Sequence, residues 1–276
     1  MEKKYNEGSK VIKREFAIIG IVVVLLIGLL GGWFIPSPIQ ETETPLIDKI
    51  EARGELLVGT SADYPPFENK TYPGGLIVGF DIDISQMVAD ELGVTLKMVD
   101  IPFDSLIAAC RAGTVDMLAA ALGYTEERAE SLAASITYIT VSQVIVAMDD
   151  FPTTISSIDD VTSYVVGVQT GTVMYEELGP DGLGMNVGSE LIVYDNANDL
   201  MIALDSGAIA LVYIDEPVYT AWADTYDIKS LYSTGTDAFV LYTRLGETGF
   251  LHTIDTVIFE SYQDGSIFDV MNTWFG

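Results

Sequence analysis

Apolar positions fall into two regimes along this chain. Residues 16–35, FAIIGIVVVLLIGLLGGWFI, form one unbroken apolar run. Beyond it, short apolar segments alternate with amphipathic ones. Leu56–Gly59, Thr95–Val99 and Val115–Leu118 read as strands, and Leu76–Phe80 as a further strand or approach. Between them Ile84, Met87, Val88 and Leu92 lie three and four apart, in a helix that opens at Asp81 and is stopped by Gly93. A second helix runs from Asp104 to Ala112, stopped by Gly113. The later half repeats the scheme, with strands at Tyr164–Val168 and Leu211–Ile214. Its helices open at Gly171–Thr172 and cover Asn198–Leu204, the latter stopped by Gly207. Alternation of strand and helix predicts an α/β protein with a mostly parallel sheet flanked by helices. Two similar lobes follow one another, each with a ligand crevice at the carboxyl ends of its strands.

The apolar run has the length of a membrane span, since residues rising about 1.5 Å each cross a hydrocarbon core of about 30 Å in about 20 steps. Lys3, Lys4, Lys10, Lys13 and Arg14 precede it. Cationic flanks stay inside, which puts the rest of the chain on the extracytoplasmic side of the cell membrane. An uncleaved single-pass anchor at 16–35, behind a cytoplasmic basic segment at 1–15, is favoured over a removed signal. The run is longer than a signal's apolar region, and no clear small-residue cleavage site follows. A lipoprotein signal would need a cysteine just after the run, and the single cysteine is Cys110. Residues 36–46, rich in Pro, Thr and Glu, read as a tether.

Charge narrows the partners. Thirteen Lys and Arg stand against 41 Asp and Glu, a formal charge of −28. Five of those cations and three of those anions precede residue 16, which leaves eight against 38 in the rest. Such acidity argues against nucleic acid as a partner. It serves solubility or life in high salt, where screening removes self-repulsion. Cys110 lies in a helical pattern and reads as a small core residue, so no internal disulfide is available. His252 is the one histidine. It is far in sequence from Cys110, with no catalytic motif, metal cluster or phosphate loop around it, so no catalytic residue, metal or cofactor is expected. Arg128, in the run Leu122-Gly123-Tyr124-Thr125-Glu126-Glu127-Arg128, has two readings. It is a surface side chain paired with Glu127 or Glu130, or a bidentate holder of one small anion.

Eight pieces in order resemble the extracellular solute-binding proteins of family 3, the polar amino-acid-binding components of ABC importers. They are Gly59-Thr60-Ser61-Ala62-Asp63-Tyr64-Pro65-Pro66-Phe67-Glu68, Gly79-Phe80-Asp81-Ile82-Asp83-Ile84, Phe103-Asp104-Ser105-Leu106-Ile107, Ala112-Gly113-Thr114-Val115-Asp116, Thr125-Glu126-Glu127-Arg128-Ala129, Val166-Gly167-Val168-Gln169-Thr170-Gly171-Thr172, Asp215-Glu216-Pro217-Val218, and Asp264-Gly265 with the terminal Trp274-Phe275-Gly276. The likeness covers about residue 46 to the end. It implies a two-lobed periplasmic-binding-protein-like fold with a two-strand hinge, lobe one being 47–145 with 237–276 and lobe two 146–236. Val141–Ala147 and Ala238–Thr243 would cross the hinge. The implied function is capture of a free amino acid and delivery to an ABC permease.

The resemblance also distributes roles. Arg128 matches the family's carboxylate clamp. The backbone N–H groups of Thr172 and Val173, at a helix start, would receive the same carboxylate, with Thr172 also a plain N-cap. Asp215 matches the ammonium ligand, or caps a turn before Pro217. Tyr64 and Phe103 match aromatic positions flanking the ligand side chain, or are core residues. Ser61 matches a position that tunes side-chain preference, and Ala121 one that offers backbone groups. Asp81 is expected to cap its helix. Gly123 departs from the pattern, since Ser or Thr is usual there, and leaves one hydrogen bond fewer to the ligand, worth about 1 kcal/mol. Two alternatives use the same scaffold: a cyclic-acid dehydratase, with Glu68 as its acid, and a ligand-sensing receptor domain.

Overall fold

Two strands of 17 residues each organise the fold. The computed structural model describes residues 44–276. The basic segment, the apolar run at 16–35 and most of the expected tether lie outside the described residues. Among the described residues no helix is long and apolar enough to cross a membrane.

In chain order the elements begin with α1 (Leu46–Arg53), β1 (Glu55–Thr60), β2 (Asp63–Tyr64), β3 (Glu68–Lys70), β4 (Ile77–Val78), α2 (Phe80–Glu91) and β5 (Thr95–Asp100). A 3-10 turn at Phe103–Ser105 leads into α3 (Leu106–Arg111), followed by β6 (Met117–Leu118), α4 (Glu126–Ser131) and the long β7 (Leu132–Met148). Next come β8 (Val166–Gln169), α5 (Val173–Leu178), β9 (Leu191–Tyr194), α6 (Ala197–Asp205), β10 (Leu211–Asp215) and α7 (Glu216–Ala223). The long β11 (Ile228–Arg244), α8 (Thr248–Asp264) and α9 (Ser266–Phe275) complete the chain.

Eight strands form one sheet in the order β5-β1-β6-β11-β7-β10-β8-β9. Four of its seven pairings are parallel: β1 with β5 and β6, and β8 with β9 and β10. The expected parallel sheet is therefore a mixed one. Each lobe keeps a parallel half, and the long antiparallel pair β7–β11 stitches the halves together. At about 3.3 Å per residue, 17 residues reach about 56 Å, enough to run through both lobes. β11 pairs with β6 at Tyr242 and Thr243, whereas β7 pairs with β10 at Gln143–Val146. The passage between lobes therefore falls near Thr140–Gln143 and Gly235–Ala238. Register shifts at Ser233/Gly235 and Phe239/Val240 flank that stretch of β11. Such irregularities bend and twist a strand locally, as a hinge between lobes needs.

The pleat decides what each face buries. Leu56 and Val58 of β1 meet Phe80, Ile84, Val88 and Ala89 of α2, whose spacing of four and one puts them on one helix face. The opposite face packs Leu106 and Cys110 of α3 on Val115, Leu118, Val240 and Tyr242. Cys110 is fully buried, and burial pushes its thiol up to about 12, as befits a core residue rather than a nucleophile. The last helix returns to lobe one. Trp274 donates to Asp83 of α2 at 2.7 Å, and Phe275 packs on Phe67 and Phe80 at 5.4 and 5.0 Å between ring centroids.

A candidate amino-acid pocket between the lobes

The parallel strands of both halves end at one crevice, where α/β sheets place their ligands. Lobe one contributes Tyr64 from β2, Phe103, Ala121 and Gly123 from the loop after β6, and Arg128 from α4. From lobe two come Gln169 at the end of β8, Thr172, Val173 and Met174 at the start of α5, and Asp215 at the end of β10, while Asp237 projects from β11. The free space they enclose is about 20 Å³, room for about one water, so an amino acid enters only if the lobes part.

Arg128 is drawn inward. Thr125 caps α4 by accepting the Arg128 amide at 3.1 Å, which fixes the helix start and aims the side chain into the crevice. The side chain is 8% exposed. Nη1 donates to the Gly123 carbonyl at 2.7 Å, Nη2 donates to the Gly171 carbonyl at 2.9 Å, and the guanidinium lies 5.9 Å from the centre of the Phe103 ring. Among the described residues it forms no ion pair within 4 Å, so pairing with Glu127 or Glu130 does not occur. Two of its five donors are used by carbonyls, and the fork retains capacity for an anion. Gly171, at φ +76°, carries the carbonyl that crosses the lobe boundary. A Cβ there would already touch Asp104 of the opposite lobe at 3.5 Å.

Asp215 is the complementary charge. It occupies the N-cap position of α7 without capping it. Oδ2 accepts the Tyr64 hydroxyl at 2.8 Å, and that hydroxyl accepts the Asp215 amide at 3.2 Å. Oδ1 is buried without a hydrogen-bond partner. Burial pushes the carboxyl up to about 7; the Tyr64 hydroxyl pulls it down and nearby Asp237 raises it further. Tyr64 thus lines the pocket with its ring and holds the anion with its hydroxyl. Across the same cleft, Asp63 of lobe one accepts the amide of Ala197, the first residue of α6, at 2.7 Å.

Ala121 adopts φ +47°, a left-handed conformation that L-residues take at a cost. Its amide donates to Asp81 Oδ2 at 2.7 Å, and Tyr138 donates to Asp81 Oδ1 at 2.7 Å. The expected helix cap is corrected here: α2 has no side-chain cap, and Asp81 braces the pocket wall instead. Thr172 caps α5, accepting the Tyr175 amide at 3.3 Å, and Val173 follows it on the lining.

Ser61 is the one expected site residue that the pocket does not include. Its hydroxyl donates to Asp63 at 2.9 Å, and it faces an outer groove with Asp63, Asp100 and Asn196. Glu68 also stands outside the pocket, 1% exposed, and burial holds its carboxyl well above the ordinary range. Gln169, Met174 and Asp237 line the pocket without having been singled out from the sequence. Gln169 closes a strand at its carboxyl end, and Met174 follows Val173 directly; both positions could have been flagged. Asp237 precedes the apolar stretch that marked β11, and no pattern pointed to it.

Two lobes sharing a pair of long strands around a cleft with one cation and buried carboxylates define a bilobal binding protein. The chain belongs to the bacterial extracellular solute-binding proteins, family 3, whose model matches residues 56–276. It is 37% identical over 130 residues to the arginine-binding extracellular protein ArtP of Bacillus subtilis, a match covering 46% of this chain and 49% of that protein, about half its length. Among solved structures, the P235GK mutant of ArgBP from T. maritima superposes with TM-score 0.77 at 32% identity, covering 83% of this chain and 98% of the other. The ancestral amino-acid-binding protein AncCDT-1, described as a precursor of cyclohexadienyl dehydratase, gives TM-score 0.75 at 27% identity over 84% of this chain and 100% of that one.

Proposed function

We propose that this chain captures a free amino acid between its lobes, 47–145 with 237–276 and 146–236, and delivers it to the permease of an ABC importer. The observation that carries the reading is the pairing of Arg128 with Asp215, opposite charges from opposite lobes in one pocket, Asp215 keeping a buried oxygen unpartnered. An α-amino acid is the smallest common solute with a carboxylate for the first and an ammonium for the second. Phe103, Tyr64, Val173 and Met174 supply apolar walls for the remainder, and the amides after Gly171 a further contact for the carboxylate. The apolar run 16–35 would hold the binding domain at the outer face of the membrane, within reach of its permease. The dehydratase alternative relied on Glu68, which is buried and does not line the pocket.

Titration calorimetry of the full chain in detergent against the common amino acids tests the reading. One or a few should bind. Their derivatives lacking the α-amino group, or carrying an amide in place of the α-carboxylate, should bind far more weakly. A deaminated derivative that binds like its parent would remove the ammonium role of Asp215 and with it the amino-acid assignment.

A further inference from the structure

We propose that Asp237 is a specificity-determining residue that restricts this pocket to amino acids with a net positive charge. The inference rests on the reading of the cleft as an amino-acid pocket. It starts from the steric relation between two positions. A Cβ placed on Gly123 would lie 2.3 and 2.5 Å from the two carboxylate oxygens of Asp237. No side chain fits at 123 while Asp237 keeps this position. A carboxylate from β11 occupies the space that a side chain at 123 would need.

This carboxylate sets the charge of the site. Counted formally, Arg128 contributes one positive charge, and Asp215 and Asp237 one negative charge each; the other lining residues are neutral. Among the described residues no Lys or Arg lies within 4 Å of Asp237, so no ion pair of the protein's own cancels it. A zwitterionic ligand satisfies Arg128 and Asp215 and leaves the half-buried carboxylate of Asp237 without a counter-charge of its own, which is unfavourable. A ligand with a further cationic group brings the sum to zero. The Phe103 ring, which already faces one guanidinium, and the Tyr64 ring offer the π-faces that such a group tolerates well. Burial raises the Asp237 carboxyl above its ordinary value, with the Ala238 amide and the Arg128 charge acting in the opposite direction; burial of the free anion is thus costly even before a ligand arrives.

The test compares arginine with citrulline, which has nearly the same shape and no side-chain charge, by calorimetry on the full chain in detergent. Arginine should bind the wild type at least about 100-fold more tightly, the scale of one charge-assisted hydrogen bond. Asp237→Asn should reduce that ratio by at least about tenfold, chiefly by weakening arginine and sparing citrulline. Citrulline binding the wild type as well as arginine overturns the proposal while leaving the amino-acid reading intact, and this comparison needs no variant to fold. An unchanged ratio in Asp237→Asn, with its thermal transition preserved, also overturns it. Binding of no amino acid at all would instead bring down the underlying functional reading.

Discussion

Asp81 stands behind the pocket wall, and its removal should separate support from ligand contact. Its carboxylate is fully buried and accepts two hydrogen bonds of 2.7 Å, from the Ala121 amide and the Tyr138 hydroxyl. Asp81→Ala leaves both donors buried without partners, at about 1–3 kcal/mol each. Part of that loss is offset, because burying this carboxylate is itself unfavourable: burial pushes it up to about 7, against the pull of the Ala121 and Tyr138 bonds. A net destabilisation of about 3 kcal/mol follows. Asp81→Asn keeps an acceptor for Ala121 and should cost only about 1 kcal/mol. The pH dependence has a definite sign. A carboxyl whose folded pKa is raised contributes stability that is full below its unfolded value of 3.8 and is lost as pH rises through about 7. The deficit of Asp81→Ala relative to wild type should therefore be largest at about pH 4, shrink as pH rises to about 7, and level off above it. Ala121→Gly, which relieves the left-handed strain, should restore part of the lost stability in the double variant, by up to about 1 kcal/mol. Urea unfolding followed by near-ultraviolet dichroism, at matched m-values, measures all three. A deficit for Asp81→Ala below about 0.5 kcal/mol, or one that grows with pH, would refute the bracing role.

Three further outcomes are expected. Arg128→Ala should fold normally and lose about 3–5 kcal/mol of amino-acid affinity by calorimetry, and Arg128→Lys should also bind poorly because a point charge cannot replace the fork. Asp215→Ala should weaken binding and also the ligand-induced fall in radius of gyration seen by small-angle scattering, since the ligand then grips only one lobe. Mass spectrometry of the protein purified from its native membrane should find residues 1–35 intact; a mature start just after the apolar run would exclude the anchor.

What the sequence made legible followed physical range. Short strand–helix units carry their own signals, so β1, α2, β5, β8 and β10 fall where alternation and glycine stops put them. The roles of Arg128, Thr172, Val173 and Asp215 came from the family resemblance, and the short, well-marked elements that carry these residues bring them to one pocket. The long strands were not. The first half of β7, Leu132–Thr140, mixes exposed and buried positions and several Ser and Thr residues, so only its apolar end was recognised. Asp237 was hidden with the matching half of β11, because its meaning depends on Gly123 more than one hundred residues away. Asp81 misled because an acidic residue in a first helical turn commonly serves that helix. Its partners lie 40 and 57 residues further along the chain.

The return of the chain through β11 has a consequence for biosynthesis. In the proposed division lobe two is one continuous segment, whereas lobe one is assembled from chain made before and after it. As the protein emerges vectorially, β7 is present long before its partner β11, and β6 waits for Tyr242 and Thr243. The Phe67 and Phe80 contacts that close the lobe one core wait longer still, for Phe275. Closing such a distant pairing carries a loop entropy that local contacts must first offset. Lobe two can therefore collapse while lobe one is still open. Loss of the last helix should leave a folded second lobe attached to an unfinished first one, with the apolar face of α2 exposed to quality-control proteases.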